Sequence, residues 1–511
     1  MSFDALLPLI IILSSLIPGI IIFMLPEVRH GWRTLLNMLA ASIKLVLIGV
    51  MIWGIFNGHV YETRLPLLPG LDLVLHADKM SVLIAALSGL LWFVTTIYAI
   101  GYLEGSPQPR SRFFGFFSLC VSSTMGIALA GNLMTFLMFY EMLTISTYPL
   151  VVHRGTNKSM RAGKIYLAYT LSGGTVLLIA IAWLKSLAGP LDFTEGGMLA
   201  DFAQQYHREF KIIFFLLIAG LGVKAALVPL HGWLPLAMIA PAPVSALLHA
   251  VAVVKAGAFG IVRVVYDVYG VELVQQLGLL NPLAYLASFT IIYGSIKALY
   301  QDELKKRLAY STVSQVSYIA LGAGLFGPIA TIGGVVHLVH QGLMKITLFF
   351  CAGNVAETLG IHHVSEINGA GRRMPWTMAA FTIGAMGMIG VPPTAGFISK
   401  WYLGTGALAA GQSWVILVLL SSSILNAGYF LPIIYKAWFK DPPDAWPAEH
   451  VFGRLETHWL LFIPPLVTAF LALMAGLLAD APFSPLEWTR LISRGWQLAS
   501  RAWCTLRISS A

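Results

Sequence analysis

Apolar residues run in long blocks along this chain, and polar residues gather in the short intervals between them. A membrane-spanning helix needs about 20 mainly apolar residues. Windows of that kind begin near Ala5, Thr34, Met80, Phe113, Leu133, Gly163, Ile212, Pro243, Leu279, Leu308, Ile329, Pro375, Ser413 and Leu460. The pattern predicts an all-α polytopic membrane protein with about 14 transmembrane helices. The second window is interrupted by Lys44 and the twelfth by prolines. The first run follows Asp4 rather than a basic segment and has no clear small-residue cleavage site, so it reads as a retained helix, not a signal peptide.

Two windows look discontinuous. The seventh reads Lys224-Ala-Ala-Leu-Val-Pro229-Leu-His231-Gly-Trp-Leu-Pro235, and the twelfth reads Gly390-Val-Pro392-Pro393-Thr-Ala-Gly396-Phe-Ile-Ser-Lys400. Proline removes a backbone donor and clashes with the preceding turn. Irregular backbone at membrane depth survives only where protein buries it or where it lines a cavity. The breaks lie five windows apart, an odd number, which predicts two inverted five-helix repeats with broken helices 7 and 12. The expected division is 1–105 for helices 1–3, 106–270 for the first repeat (helices 4–8), 271–440 for the second (helices 9–13), and 441–511 for helix 14 and an amphipathic C-terminal tail.

Composition fits this reading. Of 511 residues, 58% are hydrophobic and 11% charged, against about 25% charged in soluble domains. Mean hydropathy is +0.79. The net charge of +9 is no nucleic-acid signal, because the basic residues sit in the intervals between windows. Placing the N-terminus outside puts seventeen of them in inner loops and five in outer loops, as the positive-inside rule requires. The tail is the misfit: Arg490, Arg494, Arg501 and Arg507 fall on the outer side. The stretch Leu486–Leu506 is expected to lie flat on the surface or to dock on a partner.

Cys120, Cys351 and Cys504 are far apart and form no C-x-x-C pair, so they read as packing residues without a metal or disulfide framework. No Walker loop or dinucleotide-binding glycine fingerprint occurs. No cofactor is expected, and energy must come from an ion gradient or a partner subunit.

The chemistry lies in ionisable residues inside apolar windows, where each costs about 2.5–3.5 kcal/mol on insertion scales and marks a polar interior or proton path. Glu141 and Lys224 are expected to pair and to switch charge state when a third charge approaches, with the Lys224 ammonium near broken-helix backbone. His249 and Lys255 lie six residues apart, about 120° around a continuous helix, and read as successive stations. His337, His340 and Lys345 fall within about 140° of one helix side, and histidine suits a proton shuttle. Metal binding at His-x-x-His is the rival reading, weakened by the lack of a neighbouring Cys or carboxylate. Lys400 closes the twelfth-window motif and is near enough to a helix end to snorkel. Lys44 stands without polar neighbours and reads as structural, and His153 and His231 sit at loop margins facing water.

Together these phrases resemble the antiporter-like proton-channel family: the large membrane subunits of respiratory complex I, the A and D subunits of Mrp-type sodium/proton antiporters, and subunits of membrane-bound hydrogenases. The resemblance covers roughly residues 75–440. It is most specific from Lys224 to Arg263, through Ala240-Pro-Ala-Pro-Val-Ser-Ala-Leu-Leu-His249 and Val254-Lys255-Ala-Gly-Ala-Phe-Gly-Ile. It implies a Glu141–Lys224 charge pair and a hydrated polar axis through Lys255, His337, Lys345 and Lys400. Many relatives carry a histidine four residues after the first one of helix eleven; here that position is Gln341, and His340 precedes it.

The expected function is that of a proton-translocating membrane subunit of a multisubunit monovalent-cation (Na+)/H+ antiporter, of the Mrp D type, in a bacterial inner membrane. Proton transfer and charge gating fall to Glu141, Lys224, His249, Lys255, His337, His340, Lys345 and Lys400. Partners are other membrane subunits, protons, Na+ and the lipid bilayer; no cofactor, metal or nucleic acid is expected. One alternative is a proton-pumping subunit of a complex I-like NADH-quinone oxidoreductase or hydrogenase, with the redox chemistry elsewhere. Another is the membrane subunit of a proton-driven bicarbonate-uptake complex.

Overall fold

The computed structural model describes residues 3–104 and 107–508, with side chains described as far as Trp496; Cys504, Arg501 and Arg507 lie outside the described side chains. Helices α1 (Phe3–Met24) and α2 (His30–Phe56) precede an antiparallel hairpin, β1 (Tyr61–Leu68) and β2 (Leu71–Ala77), in which Tyr61 pairs with Ala77. Then come α3 (Lys79–Tyr102), α4 (Arg110–Ala128), α5 (Leu133–Val151), α6 (Asn157–Ala188), α7 (His207–Lys224), the short α8 (Trp233–Leu236), α9 (Ala242–Ala250) and α10 (Val253–Arg263). A π-helical turn, Val264–Tyr269, leads to α11 (Val271–Gln276), α12 (Leu280–Leu299), α13 (Leu304–Ala323), α14 (Pro328–Leu359) and α15 (Ala370–Arg373). The chain ends with α16 (Pro375–Ile389), α17 (Ala395–Ala409), α18 (Trp414–Phe439), α19 (Trp459–Leu477) and α20 (Pro485–Ile508).

Every predicted window holds helix. Among the described residues nine helices are long and apolar enough to cross a membrane by length and composition; the other windows are interrupted, shorter or richer in polar residues. The fold is predominantly helical as expected, with one short hairpin added. The hairpin's signal was the Pro69-Gly70 step, with Gly70 at φ 75°, where a side chain would be strained, flanked by strand-forming residues.

Both expected breaks are present. Backbone between α7 and α8 is irregular and its first residues, Ala225 to Val228, are buried. Its polar groups find partners in the protein: Val228 N–H donates to Thr290 Oγ1 (3.1 Å), and Trp233 Nε1 donates to Val223 O (2.7 Å). The second break separates α16 from α17, with Gly390 at φ 90°. A third break, at Val251–Ala252 between α9 and α10, went unpredicted. No proline or glycine marks it, and it divides the window that the sequence presents as one helix.

The tail packs on its own chain. Trp488 Nε1 donates to Lys79 O (3.0 Å), and Trp496 stacks on Tyr266 with ring centroids 4.3 Å apart. Two faces can be told apart. One carries the hairpin, joined to the α4–α5 loop through Gly131 N–H to Val74 O (2.8 Å). The other is basic, with Arg33 and Arg110 around Glu27, and Arg154 and Lys305 near the Glu303–His363 bridge.

Candidate functional site

Five lysines are buried, Lys44 on α2 and four on α7, α10, α14 and α17 that lie along the site. Lys224 and Lys345 are 0% exposed, Lys255 is 2% and Lys400 9%. Snorkelling to an interface therefore explains none of them. No carboxylate lies within 4.0 Å of any of the four among the described residues.

At one end, the Lys224 ammonium donates to the carbonyl oxygen of Tyr140 on α5 and sits 3.4 Å from that residue's ring centroid. The Tyr140 hydroxyl donates to Gly220 O on α7 (3.2 Å), tying the two helices together. Glu141 is the next residue, and its carboxylate Oε1 is buried without a hydrogen-bond partner, against Gly174 of α6. The expected pair is thus neighbouring but not a direct ion pair. Lys224 also departs from its expected place: its ammonium faces α5, and the last α7 carbonyls accept from Ala225, Ala226 and Leu227 N–H and from Trp233 Nε1 instead.

In the middle, Lys255 Nζ has no hydrogen-bond partner. His249 belongs to a separate helix, α9, so the angle computed for one continuous helix does not apply. Its Nε2 meets Met238 Sδ at 3.2 Å, and its ring stacks on Phe349 of α14. Both ring nitrogens of His337 are unpartnered, and the ring lies 5.2 Å from that of Tyr318. His340 Nδ1 is 2.9 Å from Ser399 Oγ on α17, and its Nε2 is unpartnered, as are both amide atoms of Gln341. Native interiors leave few buried polar atoms unsatisfied. So many in one region are what intervening water would satisfy.

At the other end, Lys345 donates to Ser311 Oγ and to Leu308 O (3.1 Å) on α13. Lys400 donates to Ile389 O (2.7 Å), Met388 O (3.3 Å) and Ser423 Oγ (2.8 Å). Two of these acceptors are the last carbonyls of α16, the negative end of a broken helix, where a cation is stabilised. The broken-helix role assigned in sequence to Lys224 therefore falls to Lys400.

Sequence reasoning missed several groups. Lys44 is fully buried and donates to Ser15 Oγ, with Trp92 beneath it at 5.0 Å, so the expectation of an isolated residue is corrected. His153 is also buried, packed on Phe113 with both nitrogens unpartnered, contrary to the expected water-facing position. Its signal was the apolar α4 face opposite. A cavity of about 310 Å³ opens on the basic face, lined by Arg154, Glu303, Lys305, His362 and His363, and reaches Met238 beside His249. On the hairpin face, buried Arg263 binds Asp78 (2.5 and 3.0 Å), Asp267 (2.7 Å) and Ser81 Oγ (2.8 Å), and Trp496 of the tail completes Asp267. Burial opposes the charged form of Asp78, but Arg263 and the Ser81 N–H outweigh it and hold the carboxyl down at about 2. Among the described residues no group of three or more His, Cys, Asp or Glu is placed to hold a metal.

Comparison with known proteins places these features in context. Residues 130–426 match the transmembrane region described as NADH:quinone oxidoreductase/Mrp antiporter. The chain is 34% identical over 422 residues to NADH-quinone oxidoreductase subunit N of Desulforudis audaxviator, covering 80% of this chain and 82% of that one. It is 30% identical over 439 residues to a Staphylococcus aureus chain named as antiporter subunit mnhA2, covering 80% of this chain and 53% of that one. In fold it is similar to a chain of the Mrp complex from Dietzia sp., with a TM-score of 0.82, 22% identity, and coverage of 96% and 97%.

Proposed function

Because this chain belongs to the NADH:quinone oxidoreductase/Mrp antiporter transmembrane family, we propose that it carries protons through the membrane along its buried lysines and histidines. It works as one membrane subunit of a larger complex. The observation that carries this reading is the row of buried lysines on α7, α10, α14 and α17, none paired with a carboxylate among the described residues. A lysine locked in an ion pair holds its proton, whereas one in an apolar wall gains and loses it readily. Protons reach His249 from the cavity on the basic face, pass Lys255, His337, His340 and Lys345 through water, and leave by way of Lys400. Glu141 and Lys224 gate the passage electrostatically. The lysine end-groups on either side correspond to the two inverted repeats, 106–270 and 271–440, with the basic face inward and the N-terminus outside a bacterial inner membrane.

The driving process we assign is exchange with a monovalent cation, as in the Mrp D type, supported by the antiporter relative and by the near-complete overlap with the Mrp fold. A second reading, a subunit of a redox-driven pump, is favoured by the NADH-quinone oxidoreductase relative, matched over most of both chains. The bicarbonate-uptake alternative gains no support from these relatives. The test is proton flux in inverted vesicles carrying the full native complex, for wild type and Lys224→Ala. Cation-triggered collapse of a pH gradient, lost in Lys224→Ala, supports the antiporter. A gradient formed only on adding a redox donor, and unresponsive to sodium, potassium or lithium, selects the second reading.

A further inference from the structure

The three N-terminal helices and α4 hold a polar seam that the buried axis does not use. Helices α2 and α4 both start at the basic face. At their first turns Arg33 Nη1 donates to Ser111 Oγ (3.0 Å) and to Glu27 Oε2 (3.3 Å). Eleven residues deeper on both helices stand Lys44 and Ser122. They are joined through α1: Lys44 donates to Ser15 Oγ, which lies 2.7 Å from Ser122 Oγ. Eleven residues of helix rise about 16 Å, half of the hydrocarbon thickness, so the deep pair sits near mid-membrane.

The space between the two levels is lined by polar atoms. Asn37 Oδ1 on α2 and Ser118 Oγ on α4 are unpartnered in residues that are 1% exposed. Trp92 Nε1 of α3, whose ring lies under Lys44, is likewise unpartnered, as is Ser88 Oγ four residues earlier on α3. Orphan polar atoms on α2, α3 and α4, together with a buried lysine that has a single hydroxyl partner, are what water would satisfy. The outer side of α2 is apolar and exposed, at Leu35, Leu39, Ile43, Val46 and Val50, so the seam is sealed from lipid. On the far side of α4, Cys120 Sγ donates to Ser146 Oγ on α5 (3.3 Å), five residues beyond Glu141.

We propose that this seam is a second proton-conducting site, running from the Glu27–Arg33–Ser111 cluster to Lys44, with Lys44 as its proton-exchanging group, feeding the Glu141–Lys224 end of the axis. The inference rests on the proton-translocation reading above. It names a residue outside the row of lysines shared by the two broken-helix halves.

The test uses the whole complex in inverted vesicles. Lys44→Met removes the amine, while Lys44→Arg keeps a cation and a donor but cannot release a proton. Both substitutions are expected to lower proton flux about 100-fold, the lower range for loss of a proton-transfer group, with assembly unchanged. In parallel, Asn37→Cys is expected to react with a membrane-impermeant maleimide from the basic face above the wild-type background, and lipid-facing Ile43→Cys is not. Wild-type flux in Lys44→Arg marks a structural donor only and overturns the proposal, as does an Asn37→Cys that reacts from neither side. Where the Lys44 variants fail to assemble, the Asn37→Cys result decides. Undiminished flux in Lys224→Ala, measured alongside, overturns the axis itself and is read separately.

Discussion

Gly174→Ala should depress proton flux without weakening the fold. A β-carbon on Gly174 would lie 2.1 Å from Glu141 Oε1, 2.5 Å from its Cδ and 3.0 Å from Oε2. Ordinary contact begins at 3.4 Å, so the carboxylate must retreat by about 1.3 Å. It is the free end of a flexible side chain, and the backbone of α5 and α6 can stay in place. Alanine is also the better helix former by about 1 kcal/mol, so thermal stability should hold or rise slightly. Misplacing a reacting group by about 1 Å costs up to about 100-fold in rate, or about 2.7 kcal/mol of barrier. We therefore expect a fall of about 10- to 100-fold in the vesicle proton-flux assay, with the complex assembling normally. Shortening the carboxylate by one methylene in Glu141→Asp relieves the overlap, so Gly174→Ala should add little in the E141D background, a non-additivity that a double-mutant cycle measures. Wild-type flux in Gly174→Ala would refute the claim that the position of the Glu141 carboxylate controls transport.

Arg263→Ala leaves Asp78 and Asp267 without their shared cation. Breaking a buried pair from one side costs about 3–5 kcal/mol, read as a lowered melting temperature, and Arg263→Lys should recover little because it loses the forked geometry. Asp78, held at about 2, contributes stability that is complete above the ordinary carboxylate pKa of about 4 and is lost as pH falls through about 2. The Asp78 contribution to melting temperature should therefore be complete from pH 7 to about 5 and be lost below about 4, and Asp78→Asn should remove that acid-dependent part. Gly257→Ala places a β-carbon 2.2 Å from Ala225 N and 2.8 Å from Lys224 C. These are backbone atoms with no room to move, so overpacking should cost about 1–3 kcal/mol and reduce assembled complex on a size-exclusion profile.

Membrane helices were legible because hydropathy and the proline breaks are local signals, and each window begins within a few residues of a helix start. The break between α9 and α10 was not legible, since Val251 and Ala252 are ordinary helix residues and only packing interrupts them. The same division holds within the site. An ionisable residue in an apolar run announces itself, and so Glu141 and the lysines of α7, α10, α14 and α17 stood out. What each one touches depends on helices distant in sequence. Lys224 and Lys400 each stand next to a proline break in sequence, yet one meets Tyr140 on α5 and the other the end of α16. Lys44 read as solitary because Ser15, Ser122 and Trp92 lie on three other helices. The hairpin was missed because the loop between two strongly apolar helices was read only for its charges.

The central claim is that buried amines carry the proton, and Lys255 tests it most directly. Its ammonium makes no hydrogen bond in the protein, so Lys255→Met removes no partner and replaces the chain with one of similar reach. If Lys255 serves only the fold, this apolar replacement is harmless or stabilising, and flux stays at the wild-type level in vesicles bearing the intact complex. The account shares the expectation of normal assembly and an equal or higher melting temperature but predicts proton flux reduced about 100-fold or more. Full flux in an assembled Lys255→Met complex would contradict it.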